Sequence, residues 1–234
     1  MPAALGTSRL GGAPDLPPAT RWPTCRGEPM AFLAQVELGD IPEDVRGGLP
    51  ATGLLSFFMH IEEEEPGIGA EEGFWLWGGD CGEAMLTPTG TALARRTAPR
   101  RNPRMVLKPA RALVRRELTI PDADEDFQPS PPLHRVRLGR TEQDRYFRFR
   151  QGLQPATEGQ DGVHRLGGFA DAIQLDPRDA CGGPRDDWRL LLQFDYDLML
   201  GFEVADAGGG WIYARASDLA QGRIGKLCST FDSA

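Results

Sequence analysis

Two short motifs place a carboxamide two residues ahead of a carboxylate: Gln35-Val36-Glu37, and Gln193-Phe194-Asp195 with Asp197 two positions further on. On a strand, residues i and i+2 share a face, so each Gln and its acids are expected to point the same way. If the two copies faced one cleft, they could hold a cation, bind Arg side chains or serve as general acid and base. The alternative is structural: each Gln fixes a loop backbone, and the acids pair with Arg9 and Arg165. The structural reading is preferred because the motif occurs twice. Catalysis usually asks unlike roles of two groups, whereas a duplicated scaffold needs the same bond twice. His164 stands beside Arg165, but the matching position ahead of Arg9 is Ser8, so the imidazole is not a repeated need and reads as a structural or exposed histidine. The candidate polar face is therefore Gln35, Glu37, His164, Arg165, Gln193, Asp195 and Asp197, with no residue assigned as catalytic and none as a metal ligand.

Other chemistry finds little support. Gly67-Ile68-Gly69-Ala70-Glu71-Glu72-Gly73 has the wrong spacing for a dinucleotide loop, and its acids would repel phosphate. No nucleophile-elbow, metalloprotease, phosphate-loop or zinc-finger spacing occurs. The four cysteines, Cys25, Cys81, Cys181 and Cys228, are far apart in sequence, which predicts reduced, metal-free thiols in a reducing compartment. The N-terminus lacks the basic and apolar regions of a usual signal peptide, and no apolar run is long enough for a bilayer. A cytoplasmic location without membrane contact is expected. The formal charge of −8 disfavours nucleic acid. One stretch, residues 95–116, carries nine basic residues and no acid. It lacks regularly interleaved aromatics and is flanked by acidic runs, so it reads as an exposed segment offset by those acids. No cofactor is expected.

The elements that must position the candidate face come from an internal repeat. Ser8-Arg9-Leu10-Gly11-Gly12 returns as His164-Arg165-Leu166-Gly167-Gly168. Phe32-Leu33-Ala34-Gln35-Val36-Glu37 returns as Leu190-Leu191-Leu192-Gln193-Phe194-Asp195, and Gly53-Leu54-Leu55-Ser56-Phe57 as Gly210-Trp211-Ile212-Tyr213-Ala214. The order is the same and the gaps agree within two residues. Each unit is predicted to be a glycine turn, a strand ending in Gln-x-acid, a loop and a second strand. Strands are expected over 30–38, 53–60 and 74–77, with further ones at Ala84–Leu86 and Ala112–Val114, and an exposed helix over 140–152. Gly and Pro make up 49 of 234 residues, which makes the chain loop-rich without reaching a disordered composition. The expected fold is α+β, mainly antiparallel sheet, with an internal duplication and few helices. It is read as one domain over 1–234, with repeat one at about 8–60, an intervening segment at about 83–160 and repeat two at about 164–219.

Several blocks resemble the YwqG-like family of uncharacterised bacterial proteins. These are Gly11-Gly12-Ala13-Pro14-Asp15-Leu16-Pro17, Trp22-Pro23, Gly27 to Gln35, Leu49 to Phe58, Arg165 to Gly168, Leu190 to Gln193 and Asp218-Leu219. The resemblance spans nearly the whole chain and is most specific in its N-terminal third. It supplies no established activity and implies an interaction or immunity role. The function expected is a protein–protein interaction module, possible partner a protein, leaning away from an enzyme. The alternatives are a hydrolase or other acid/base enzyme using the Gln-x-acid faces, and a small-molecule or metal-binding protein.

Overall fold

The computed structural model describes residues 4–64, 75–99, 106–121, 138–153, 163–202 and 207–233. Its elements are β1 (Arg9–Leu10), β2 (Asp15–Leu16), β3 (Thr24–Cys25), β4 (Glu28–Pro29), β5 (Ala31–Glu37), β6 (Leu54–Glu64), β7 (Trp75–Thr87), β8 (Ala94–Arg95), β9 (Ala110–Arg111), α1 (Arg140–Leu153), β10 (Arg165–Leu166), β11 (Trp188–Asp195), β12 (Gly209–Arg215), α2 (Ala216–Leu219) and β13 (Leu227–Asp232). All the strand pairings are antiparallel. The fold class is α+β with few helices, as the sequence leads one to expect.

Two sheets carry the architecture, in the orders β7-β6-β5-β1-β9 and β10-β11-β12-β13. Their pairing is the same in detail. Arg9 lies opposite Gln35, and Arg165 lies opposite Gln193. Gln35 in turn faces Ser56 on β6, and Gln193 faces Trp211 on β12. Both central strands slip register two residues before the Gln, between Phe32 and Ala34 and between Leu190 and Leu192. Such a bulge adds one residue to one strand and reverses the alternation of its side chains.

That reversal sorts the faces. Ala34 and Val36 join Leu55, Phe57 and Met59 in a core that also takes in Leu191, Leu192, Phe194, Ile212 and Ala214 from the second sheet. The two units thus bury their inner faces against each other. The outer faces hold satellite clusters: Phe32 and Phe58 with Trp22 in the first unit, and Leu190 with Trp188, Trp211 and Tyr213 in the second. Where β7 meets β13, only glycine fits at position 82. A Cβ there would stand 2.7 Å from the Cβ of Ser229.

Four expectations need correction. The third repeated block is offset by two residues: Ser56 lies opposite Gln35, but Trp211 and not Tyr213 lies opposite Gln193, so Gly53 corresponds to Gly208 rather than Gly210. Ala84–Leu86 is not a separate strand; it continues β7, which begins at Trp75. Ala112–Val114 is not a strand either, because the ladder beside β1 is already complete with Ala110 and Arg111. The cysteines are not free: Cys25 bonds to Cys81 and Cys181 to Cys228. Sequence separations of 56 and 47 hid two contacts that the sheets create. Each bridge ties the chain ahead of a central strand to the third strand along, β7 or β13. The helix expected over 140–152 is present as α1. It docks through half-buried Gln143, Tyr146, Arg150 and Leu153, at helical spacing. The glycine motif at 67–73, the acids at 122–126, and Arg100, Arg101 and Arg104 lie outside the described residues.

Candidate functional site

The face expected around Gln35 and Gln193 exists, as two separate networks. In the first unit Gln35 is fully buried. Its Oε1 accepts from Asp15 N at 2.8 Å, and its Nε2 donates to Thr7 O at 2.8 Å and to Asp15 Oδ2 at 3.0 Å. In the second unit Gln193 Oε1 accepts from Asp171 N at 2.8 Å, while Nε2 donates to Asp171 Oδ2 at 3.1 Å and Val163 O at 3.4 Å. Thr7 and Val163 each lie two residues before the Arg; Asp15 and Asp171 each lie six after it. The intervening Gly11-Gly12 and Gly167-Gly168 pairs all have positive φ, 58° to 76°. That conformation suits glycine and turns the chain so the Asp returns beside its Arg.

Each Asp is shared between two guanidiniums. Asp15 accepts from Arg9 Nη2 and from Arg95 Nε at 3.0 Å. Asp171 accepts from Arg165 Nη1 at 2.7 Å and from Arg150 Nη2 at 2.8 Å. The second Arg comes in both units from the segment between them. The acids that pair with Arg9 and Arg165 are therefore Asp15 and Asp171, with Glu117 added on Arg165, and not Glu37 or Asp195. These acids, together with Arg95, Arg150 and Glu117, are the residues that sequence reasoning missed. For the acids a signal was available, since the repeated block extends to Arg-Leu-Gly-Gly-x-x-Asp in both copies.

Glu37 and Asp195 serve turns at the strand ends. Glu37 Oε1 accepts from Gly39 N at 3.3 Å. Asp195 accepts from Tyr196 N at 2.9 Å and Val163 N at 3.2 Å, yet burial still raises its pKa. Asp197 lies past the end of β11 in an isolated bridge with Phe202, and its Oδ1 accepts from Leu200 N at 2.9 Å. Its Oδ2 accepts from His164 Nε2 at 3.1 Å, and His164 Nδ1 accepts from Asp195 N at 3.2 Å. The proton therefore sits on Nε2. The ring stacks on Phe194 with centroids 4.3 Å apart. Burial lowers the His164 pKa, and the hydrogen bond and charge of Asp197 only partly oppose it.

Both Gln residues lie on the sheet face turned away from the shared core, so the two networks sit on opposite sides and do not face one cleft. A small depression beside Arg165 and Asp171, also lined by Glu117, Leu118, Thr119 and Arg150, has room for about one water molecule. Among the described residues, no three His, Cys, Asp or Glu side chains gather as metal ligands, and no helix is long and apolar enough to cross a membrane.

These features define a duplicated antiparallel β protein whose two units are braced by equivalent Arg–Asp–Gln networks. Its sequence from residue 8 to residue 232 matches the model of a domain of unknown function, DUF1963, and the chain belongs to that family. No curated protein matches it.

Proposed function

We propose that the chain is a protein–protein interaction module that presents its intervening segment to a partner. The observation that carries this reading is where apolar surface remains. Of the eleven large apolar side chains exposed among the described residues, six lie between Arg95 and Arg150: Val106, Leu113, Val114, Leu118, Phe147 and Phe149. Leu113 is 77% exposed and Leu118 64%. Arg95 and Arg150 are also the residues that reach back to Asp15 and Asp171. The segment is thus tied at either end to a different unit by equivalent ion pairs, with apolar side chains displayed between them. Exposed apolar side chains suit partner binding where they form one patch, and here six fall within one segment of the sequence. The acid–base pair that is present, His164 with Asp197, is largely buried, and both nitrogens of its ring are held within the fold, which favours this reading over a hydrolase.

The resemblance to YwqG-like proteins suggests a particular form of this role, immunity, in which the partner would be a toxin that the module blocks. The test is to cross-link the chain in its native cells, identify and purify what is captured, and measure its affinity for wild type and for Leu113→Ser/Leu118→Ser and Phe147→Ser variants. Affinity is expected to fall at least about tenfold, or about 1.4 kcal/mol, in the variants. Equal affinity throughout would overturn the reading, as would a hydrolytic activity of the purified chain that His164→Ser removes.

A further inference from the structure

The two units differ at one buried point. In the second unit the Arg165 guanidinium is fully used. Nη1 meets Asp171, and the other edge holds Glu117 in two bonds, Nε to Oε2 at 3.1 Å and Nη2 to Oε1 at 2.8 Å. This is the forked pairing in which Arg binds a carboxylate most strongly. Arg9, its counterpart, is 4% exposed and has the same Asp six residues on, but its Nε is buried with no hydrogen-bond partner. A buried donor left this way is costly, and nearly all such groups in folded proteins are satisfied.

Among the described residues, Asp15 is the acid bonded to Arg9, and none is bonded to its Nε. The residue directly across from Arg9 on the neighbouring strand is Arg111, on edge strand β9. Side chains opposite each other on antiparallel strands lie on one face, and like charges so placed repel. Asp15, which is bonded to Arg9, is shared with Arg95. The neighbouring Arg95 charge adds to burial in lowering the Arg9 pKa to about 10. At Arg165, burial acts in the same sense but is outweighed by Glu117 and Asp171, and the pKa is raised. Arg165 thus holds two carboxylates, whereas Arg9 holds Asp15 on Nη2 and leaves Nε open.

We propose that Arg9 and Arg111 form a binding site for an external carboxylate, which bonds Arg9 Nε as Glu117 Oε2 bonds Arg165 Nε. Arg111 is exposed and lies at the sheet edge on the two-residue strand β9, so a carboxylate meets it first and reaches the buried Nε of Arg9 only as that edge opens. The carboxylate may be free or carried on an acidic side chain of another protein; the two share one recognition chemistry, and the test separates them.

Thermal melts of the full chain are recorded in sodium acetate and in sodium chloride at equal ionic strength and pH. Acetate is expected to raise the wild-type midpoint by about 2 °C or more over chloride, the shift that preferential binding to the folded state produces. Arg111→Glu is expected to raise the midpoint in chloride, by placing a carboxylate opposite Arg9, and to abolish the acetate effect. Glu117→Ala should lose stability in chloride and recover part of it in acetate, because it opens the same fork in the second unit. Equal wild-type midpoints in the two salts would overturn the proposal, as would an acetate effect that survives Arg111→Glu. A short peptide carrying one Glu, capped at both ends, is titrated beside acetate. Binding at least about tenfold tighter than acetate marks a protein-borne carboxylate, and equal affinity marks a free one.

Discussion

Ser8 and His164 occupy the same place in the two units. Ser8 Oγ accepts from Glu37 N at 2.9 Å and donates to Asp40 Oδ2 at 2.9 Å. His164 Nδ1 accepts from Asp195 N at 3.2 Å, and its Nε2 is 3.1 Å from Asp197 Oδ2. A hydroxyl and a neutral imidazole thus do the same work, each accepting a hydrogen bond from a backbone N–H at the strand end and donating one to an acid on the following turn.

The first prediction follows from that equivalence. Protonating His164 at Nδ1 would destroy its acceptor, and burial holds its pKa below the ordinary 6.5. A group with a lowered folded pKa that is buried neutral contributes stability above its unfolded pKa and loses it as pH falls below 6.5 toward the folded value, because the unfolded chain binds the proton first. Urea unfolding midpoints should therefore decline from pH 7 to pH 5. His164→Ser should fold and show a distinctly flatter profile in that window. An unchanged slope in the variant would assign the decline elsewhere.

Removing either glutamine amide leaves a buried backbone group and a carboxylate short of a partner. Gln35→Ala and Gln193→Ala should each cost about 1–3 kcal/mol, read by urea unfolding beside the wild type. Binding of a partner should then fall only with the folded fraction. Wild-type midpoints in both variants would return the face to the list of functional sites.

The two carboxylates at the centres of the networks should respond unequally. Asp15→Asn leaves Arg9 and Arg95 without their shared charge and is expected to cost about 3–5 kcal/mol, the usual penalty for breaking a buried pair. Asp171→Asn should cost distinctly less, because Arg165 keeps Glu117 and Asp171 is more exposed, its side chain 27% accessible against 0% for Asp15. Denaturant unfolding of the two variants makes the comparison; equal losses would contradict the asymmetry.

Thiol titration of the denatured, unreduced protein should find no free groups, where the sequence alone predicted four. Cys25→Ser/Cys81→Ser and Cys181→Ser/Cys228→Ser should each lose about 2–4 kcal/mol relative to the wild type. Disulfides persist in oxidising surroundings and are rare in reducing ones. A non-reducing gel of the protein taken directly from its cells therefore also tests the expected cytoplasmic location.

Much of the scaffold was legible because it is local or repeated. The central strands announced themselves through apolar runs, α1 through its run of charged residues, and the duplication through three ordered blocks, of which two keep the register of the sheets and the third is offset by two residues. The networks were half legible. Gln35 and Gln193 were found because both copies keep them, and their amides do fix backbone groups. Their carboxylate partners were sought two residues away along the strand, although they lie six residues past each Arg, on the far side of a glycine turn. Arg95 and Arg150 could not be found this way. They sit 80 and 21 residues from the acids they hold and belong to no repeated block. The disulfides escaped for the same reason: neither pairing is short in sequence, and only the stacking of strands brings the sulfurs together.

The shared core has a consequence for ancestry. Leu55 and Phe57 of the first unit and Phe194 and Ile212 of the second lie in one apolar cluster. A single unit standing alone would turn that whole surface to water. A forebear with one unit would have needed a second copy of itself to cover it, joined face to face about a twofold axis as most small homodimers are. In the present chain each unit is the cover that the other's inner face requires. Arg111 and Glu117, which set the two networks apart, lie in neither repeat but in the segment that joins them.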